Sequence, residues 1–363
     1  MPRFTRAIHL PFPCEEVFGW HTRPGAFERL SPPWVDVRVL EREGELHDGG
    51  RVLLELREGP ASLKWELKHT DYEDGRLFTD EQVSGPFQRW VHRHRFTPGE
   101  DGGCEMKDEV EWEGPLGGMG GRFTESFVSR ELERLFTFRH TRLRNDLTLH
   151  SRYSGPPLNV AISGSTGLIG GALTHFLRTG RHSVQPMIRE GREGEGEKSI
   201  PWDPREGKLV AADLEGVDAV VHLAGESLSA LRWTEDKKKR ILESRVEGTS
   251  LVAGALRAMR TPPSVLISAS AVGIYGDRGK DVITEESRPG SGFLARVCKE
   301  WEAAADGALK AGVRVVKLRT GFVISPLGPG LGKMLTPFRA GLGGRVGSGR
   351  QYMSWIDLDD EVG

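Results

Sequence analysis

Residues 160–171 read VAISGSTGLIGG, an apolar, β-branched run that breaks into glycine. With Leu158 and Asn159 in front of it, the run fits a strand buried on both faces of a parallel sheet. Gly164, Gly167 and Gly170 follow at GxxGxxG spacing, and a helix through His175 and Leu177 comes next, closed by Gly180. Each glycine has its own expected duty. Gly164 permits a tight turn, Gly167 lets backbone approach a pyrophosphate, and Gly170 lets the helix pack on the strand. Ser165, Thr166, Leu168 and Ile169 complete the loop, and the helix N-terminus offers unpaired N–H groups to an anion. A glycine triplet framed by strand and helix points to a dinucleotide.

Downstream, HSVQPMIRE supplies a second strand, and Arg189 at its end stands where NAD-binding chains place an acid for the ribose hydroxyls. Arginine there favours a 2′-phosphate and hence NADP(H). NAD(H) is the alternative if the neighbouring Glu190 holds that place, or if Arg189 only opens the charged loop EGREGEGEK. LEGVDAVVHLAGES gives another buried strand, Ala219–Leu223, whose small end residues Ala224 and Gly225 let ribose or nicotinamide lie close; Leu223 and Glu226 flank them. The helix from RWTEDKKK follows, its Asp236–Lys239 run reading as exposed surface, and then SVLISASAVGIYG, a strand closing on Ser268 and Ser270.

Upstream lies a different pattern. RFTRAIHL, VDVRVLERE, RVLLELRE, ASLKWELKHT, RLFTDEQV, QRWVHRHRF and CEMKDEVEWEG read as strands separated by Gly, Pro or acidic turns. Short helices are expected near Glu15–His21 and Gly25–Leu30. A long one is expected over Phe123–Leu149, where Phe127, Val128, Leu132, Leu135, Phe136, Leu143 and Leu147 recur at helical spacing. Such an order suits an antiparallel sheet curved around one helix with a cavity between. PCEEVFGWHTRPGAFERLSPPW and GPFQRWVHRHRF resemble the helix-grip domains related to START and polyketide cyclase proteins. That resemblance implies an apolar-ligand pocket over residues 1–150 without implying chemistry. SRYSGPP, within a linker at 151–157, separates it from a Rossmann-type unit at 158–363. The expected fold is therefore α/β, an α+β helix-grip domain followed by a doubly wound parallel sheet.

SGSTGLIGG, VVHLAGES, SASAVGIYG, LRTGFVISP and GSGRQYMSWIDLDD together resemble the extended short-chain dehydrogenase/reductase superfamily, in its epimerase/dehydratase branch. GESLSALRWTEDKKKRILESRVEGT, GFLARVCKEWEAAA and GLGGRVGSGRQYMSWI are similar to an atypical epimerase-like subfamily, some of whose members carry a helix-grip domain. The resemblance implies an NADP(H) site formed by the glycine loop, Arg189, Leu223–Glu226, Ser268 and Arg319. It also implies a serine at the end of the SxS strand and a Tyr-x-x-x-Lys pair on the next helix. This chain departs from that pair: Ala295 stands four residues before Lys299, and the other register puts Arg296 there. The serine is Ser270, or its place is taken by Ala271 on strict counting back from Tyr275. Tyr275 is either a phenol reaching the site from another direction or an aromatic packed beside it. Two readings follow: an oxidoreductase or epimerase acting on a small substrate, and a non-catalytic dinucleotide-dependent sensor or carrier of an apolar ligand. An empty Rossmann unit is a third. Relatives normally continue past Gly363, so the substrate side is expected to be incomplete or cut.

Composition narrows the partners. Fifty Lys+Arg against 52 Asp+Glu leave a net charge of -2, with no field to gather nucleic acid or an anionic membrane. No window reaches the length of a membrane span, and neither a membrane anchor nor a signal peptide is expected. Cys14, Cys104 and Cys298 cannot all pair, which argues against a disulfide framework and for a reducing, cytoplasmic setting. His92 and His94 share one strand face with Trp90 and Phe96; with no third ligand apparent, they read as an amphipathic face and no metal is expected.

Overall fold

Alternating residues in RFTRAIHL point to opposite faces, and β1 (Arg3–Leu10) buries Ile8 and Leu10 while exposing those between. A computed structural model describes residues 1–58, 61–114, 121–189, 198–230, 232–345 and 347–363. Its contacts divide the chain into Met1–Gly155 and Pro156–Gly363. In the first unit β1 is followed by α1 (Cys14–Thr22), α2 (Ala26–Leu30), β2 (Asp36–Glu43), β3 (Arg51–Glu58), β4 (Ala61–Glu73), β5 (Leu77–Ser84), β6 (Arg89–Pro98), β7 (Cys104–Glu113) and α3 (Gly121–His150). The strands form one antiparallel sheet in the order β1-β7-β6-β5-β4-β3-β2. α3 lays Leu132 and Phe136 on Trp90, Val110 and Trp112, and Leu143 and Leu147 on Leu10, Val17, Phe18 and Trp20, the helical spacing seen in the sequence. Arg29 of α2 grips Asp146 of α3 through two buried bonds of 2.7 and 2.5 Å.

The cysteine expectation is overturned: Cys14 and Cys104 are joined by a disulfide, their Cα atoms 4.8 Å apart. The cause is strand pairing. Leu10 lies opposite Cys104, so the chain leaving β1 starts α1 beside the start of β7. Cys298, in the second unit, is free and buried. The inference of a reducing compartment loses its basis.

The second unit runs β8 (Asn159–Ser163), α4 (Leu168–Thr179), β9 (Ser183–Ile188), β10 (Ile200–Asp203), β11 (Lys208–Leu209), β12 (Ala219–His222), α5 (Glu235–Ala258), β13 (Val265–Ala271), α6 (Phe293–Ala305) and β14 (Arg314–Thr320). Strand order is β11-β10-β9-β8-β12-β13-β14, all parallel except β11. This doubly wound sheet reverses direction between β8 and β12, where such sheets bind ligands. Both faces are covered: Val160, Ile162 and Val221 pack under Leu173 and Leu177 of α4, while Ala161, Val220 and Leu266 pack under Val252 and Leu256 of α5. α5 begins at Thr234, whose hydroxyl accepts the Lys237 N–H. β15 (Phe322–Ile324), α7 (Pro329–Arg339), β16 (Trp355–Asp357) and α8 (Leu358–Val362) complete the unit, with β15 and β16 paired and α8 against α4. No helix of the described residues is long and apolar enough to cross a membrane.

Candidate functional site

The glycine loop sits at the reversal point. Gly164 has φ +74°, and a methyl group added to it would meet the Ala224 nitrogen at 3.0 Å and the Leu223 carbonyl carbon at 3.1 Å. The loops after β8 and β12 therefore touch through backbone, a closeness only glycine permits. A methyl at Gly170 would fall on the Gly164 carbonyl oxygen, so α4 meets its strand without side-chain room. Gly167 is exposed and caps α4; having no side chain, it cannot accept from the first-turn N–H groups of Leu168, Ile169 and Gly170. Ser165 is half-buried and Thr166 exposed beside them. β9 runs level with β8, Ser163 opposite Met187, which places exposed Arg189 two residues beyond that level. Glu190 lies outside the described residues.

Ser163 locks the two loops together. Its hydroxyl oxygen accepts the N–H groups of Leu223 and Ala224, at 3.2 and 3.3 Å, and lies 2.7 Å from His222 Nδ1. With both acceptor positions used, the hydroxyl proton goes to His222, and burial holds that imidazole neutral by lowering its pKa to about 4. Ser268, buried opposite His222, turns its hydroxyl to the Ala269 carbonyl. Glu226 anchors the loop to α5: its carboxylate accepts Lys237 Nζ at 2.6 Å, its N–H donates to Ser244, and its carbonyl accepts from Arg245, which also lies beside Gly225. Lys237 is thus not the solvated residue expected of the Asp236–Lys239 run.

One strand further along, four side chains form a closed network. Ser270 Oγ donates to Glu302 Oε1 at 2.7 Å. Arg319, opposite Ser270 on β14, holds both Glu302 oxygens at 2.8 and 2.9 Å and donates at 2.8 Å to Tyr275 Oη and at 3.0 Å to the Glu285 carbonyl. Ser270, Tyr275 and Glu302 are buried. Burial pushes the Glu302 carboxyl up, but the bonds from Arg319 and Ser270 outweigh it and hold it below the usual carboxylate range. Arg319, expected at the cofactor, is a member of this network. Glu302 was not expected at all, although it stands on the buried face of α6 with Ala295, Cys298 and Ala305. Ala295 is buried, and Lys299 is exposed with Nζ 3.0 Å from the Gly290 carbonyl. Lys238, Phe293, Arg296 and Lys299 line a cleft of about 500 Å³ with Glu235, giving three cations against one carboxylate.

In the first unit, His92 and His94 share a face, their rings 3.8 Å apart and buried. Pairing across strands supplies what spacing did not: His69, Asp80 and His92 form one lateral row, and Phe78, His94 and Asp108 the next. His140 descends from α3 to place Nε2 2.6 Å from Asp108 Oδ2. Burial pushes Asp108 up, but the bonds from His140 and His92, with the His94 ring close beside them, hold it well below the usual range. Burial and then the neighbouring His94 lower His92 to about 4. Between this sheet and α3 these groups are joined by buried Trp112, Leu132 and Phe136.

Comparison with known proteins places both units. Residues 160–362 match the NAD dependent epimerase/dehydratase family, and residues 1–148 match the polyketide cyclase / dehydrase and lipid transport family. A crystal structure of a nucleoside-diphosphate sugar epimerase from Corynebacterium glutamicum superposes with a TM-score of 0.84 at 38% identity, covering 99% of this chain and 74% of that one. An epimerase family protein of Mycobacterium bovis is 44% identical over 203 residues, 56% of this chain and 66% of the relative, so the chain spans about two thirds of that protein's length. The human epimerase family protein SDR39U1, crystallised with NADPH, is 36% identical with a TM-score of 0.50, over 57% of this chain and 68% of that one.

Proposed function

The chain belongs to the NAD dependent epimerase/dehydratase family, and from that premise we propose that its second unit binds NADP(H) in preference to NAD(H) and acts as an epimerase or oxidoreductase on a small anionic substrate. The observation that carries this is the Gly164–Gly170 cradle, where added methyl groups would strike backbone and α4 presents uncapped N–H groups. The bound cofactor would supply or take a hydride at its nicotinamide ring. Gly164 to Ile169 would hold the pyrophosphate, Arg189 the 2′-phosphate, and Leu223 to Gly225 the ribose. Support for the phosphate comes from the NADPH bound by the human relative. Lys238, Arg296 and Lys299 suit a diphosphate-bearing substrate, the class in the name of the Corynebacterium relative.

Proton exchange would fall to Tyr275: Arg319 donates to its oxygen and leaves its own O–H to be given to a substrate oxygen. Ser270 would orient that oxygen, with Glu302 and Arg319 positioning both hydroxyls. A second reading has one observation in its favour: with Ala295 or, in the other register, Arg296 where the family's tyrosine would stand, both remaining hydroxyls are buried and engaged, as in a dinucleotide-dependent sensor or carrier. The test is a fluorescence titration with NADPH and NADH. We expect Arg189→Glu to weaken NADPH about 10- to 100-fold, the worth of a charge-assisted phosphate bond, and to leave NADH unchanged. Equal loss for both would remove the 2′-phosphate assignment. Tyr275→Phe should abolish turnover with NADPH binding intact; tight binding without turnover in the unaltered protein would favour the sensor.

A further inference from the structure

The polar cluster of the first unit has the geometry of a metal centre. His92 Nδ1 and His94 Nε2 face the same oxygen, Asp80 Oδ2, at 3.9 and 3.4 Å. Ligand atoms of Asp80, His92 and His94 all lie within 4.8 Å of one another. A tetrahedral ion with bonds of about 2.0–2.1 Å holds its ligands about 3.3 Å apart, which the His94–Asp80 pair matches, while the wider pairs would draw in on binding. The far side of each imidazole is also prepared: His92 Nε2 lies 2.9 Å and His94 Nδ1 3.0 Å from Asp108 Oδ1. A metal on the near nitrogens puts the ring protons on the nitrogens facing Asp108, the carboxylate–histidine arrangement that orients metal ligands. His69 Nδ1 holds the other Asp80 oxygen at 2.7 Å. Protein contacts alone leave the cluster unfinished, because buried His94 Nδ1 lacks hydrogen-bond alignment despite its closeness to Asp108.

We propose that Asp80, His92 and His94 bind one divalent transition-metal ion, with Asp108 and His69 as the groups that orient them. Two imidazoles and a carboxylate without thiolate suit Zn(II) or Fe(II) rather than Mg(II) or Ca(II). Three protein ligands leave a coordination position open, and the partly exposed side chains of Asp80 and His69 mark the side from which a ligand reaches it.

The test uses the full chain, stripped with a chelator, exposed to Zn(II), desalted and assayed for bound metal by mass spectrometry. One retained equivalent, with a raised Tm, is expected; none retained overturns the proposal. Asp80→Asn, which keeps the side-chain shape, should lower Zn(II) affinity about 100-fold or more, and an unchanged equivalent in that variant overturns it equally. Should His92→Ala or His94→Ala fail to fold, crystals of the unaltered protein soaked in Zn(II) decide the matter. Anomalous density within bonding distance of His92 Nδ1 and His94 Nε2 supports the site, and density elsewhere refutes it.

Discussion

The two sheets bury opposite interiors. In the parallel sheet the rows from Val160 to Ile162 and from Ala219 to Val221 are aliphatic, and polar groups begin at the strand ends, with Ser163 and His222. In the antiparallel sheet Asp80, His92, His94 and Asp108 occupy the middle of β5, β6 and β7. A polar group at a strand end can be served by loop backbone, as Ser163 is by Leu223 and Ala224. One in the middle of a sheet has its backbone neighbours committed to the ladder, so the side chains must satisfy one another, and losing any one strands the rest.

Asp108→Ala should therefore have the largest effect. It leaves three buried imidazoles without their shared acceptor and should cost the first unit about 3–5 kcal/mol in denaturant unfolding; a loss below about 1 kcal/mol would show that the interior rearranges as freely as a strand end. Next comes reduction of the Cys14–Cys104 bond, which closes a separation of 90 residues. It should cost the first unit about 2–4 kcal/mol and leave the unfolding of the second in place, as melts with and without reductant will show. The most gradual effect, smallest at any one step of pH, belongs to the second unit. His222 titrates near 6.5 when unfolded and near 4 when folded, so the unfolded state takes up the proton first. This contribution is complete above pH 6.5 and falls, by up to about 1.4 kcal/mol per unit, as pH drops towards 4. His222→Gln should flatten that part of the stability–pH curve, and an unaltered slope would locate the titration elsewhere.

Local pattern made the architecture readable. RFTRAIHL and RVLLELRE are β1 and β3 to the residue, and the glycine spacing marked the turn onto α4. What escaped were relations between distant segments. Asp80 and Asp108 stand 12 and 16 residues from His92 in the chain, yet antiparallel pairing sets them at its sides, and His140 arrives on a helix. The Cys14–Cys104 bond was hidden for the same reason. Glu302 left a local trace, a carboxylate on an otherwise apolar helix face, which becomes legible once Ser270 and Arg319 are known to pair across β13 and β14.

Among the described residues, the order β1-β7-β6-β5-β4-β3-β2 leaves β2 with a free side. Its sequence DVRVLERE is dense in charge, and pairing with β3 skips Leu40 between Val39 and Glu41, a bulge that bends the strand. Another chain's strand laid alongside would meet a kinked row of hydrogen-bonding groups flanked by Arg42 and Glu43. The same seven-stranded sheet that buries charge at its centre thus spends charge at its margin to keep from adding an eighth strand, a defence against edge-to-edge polymerisation.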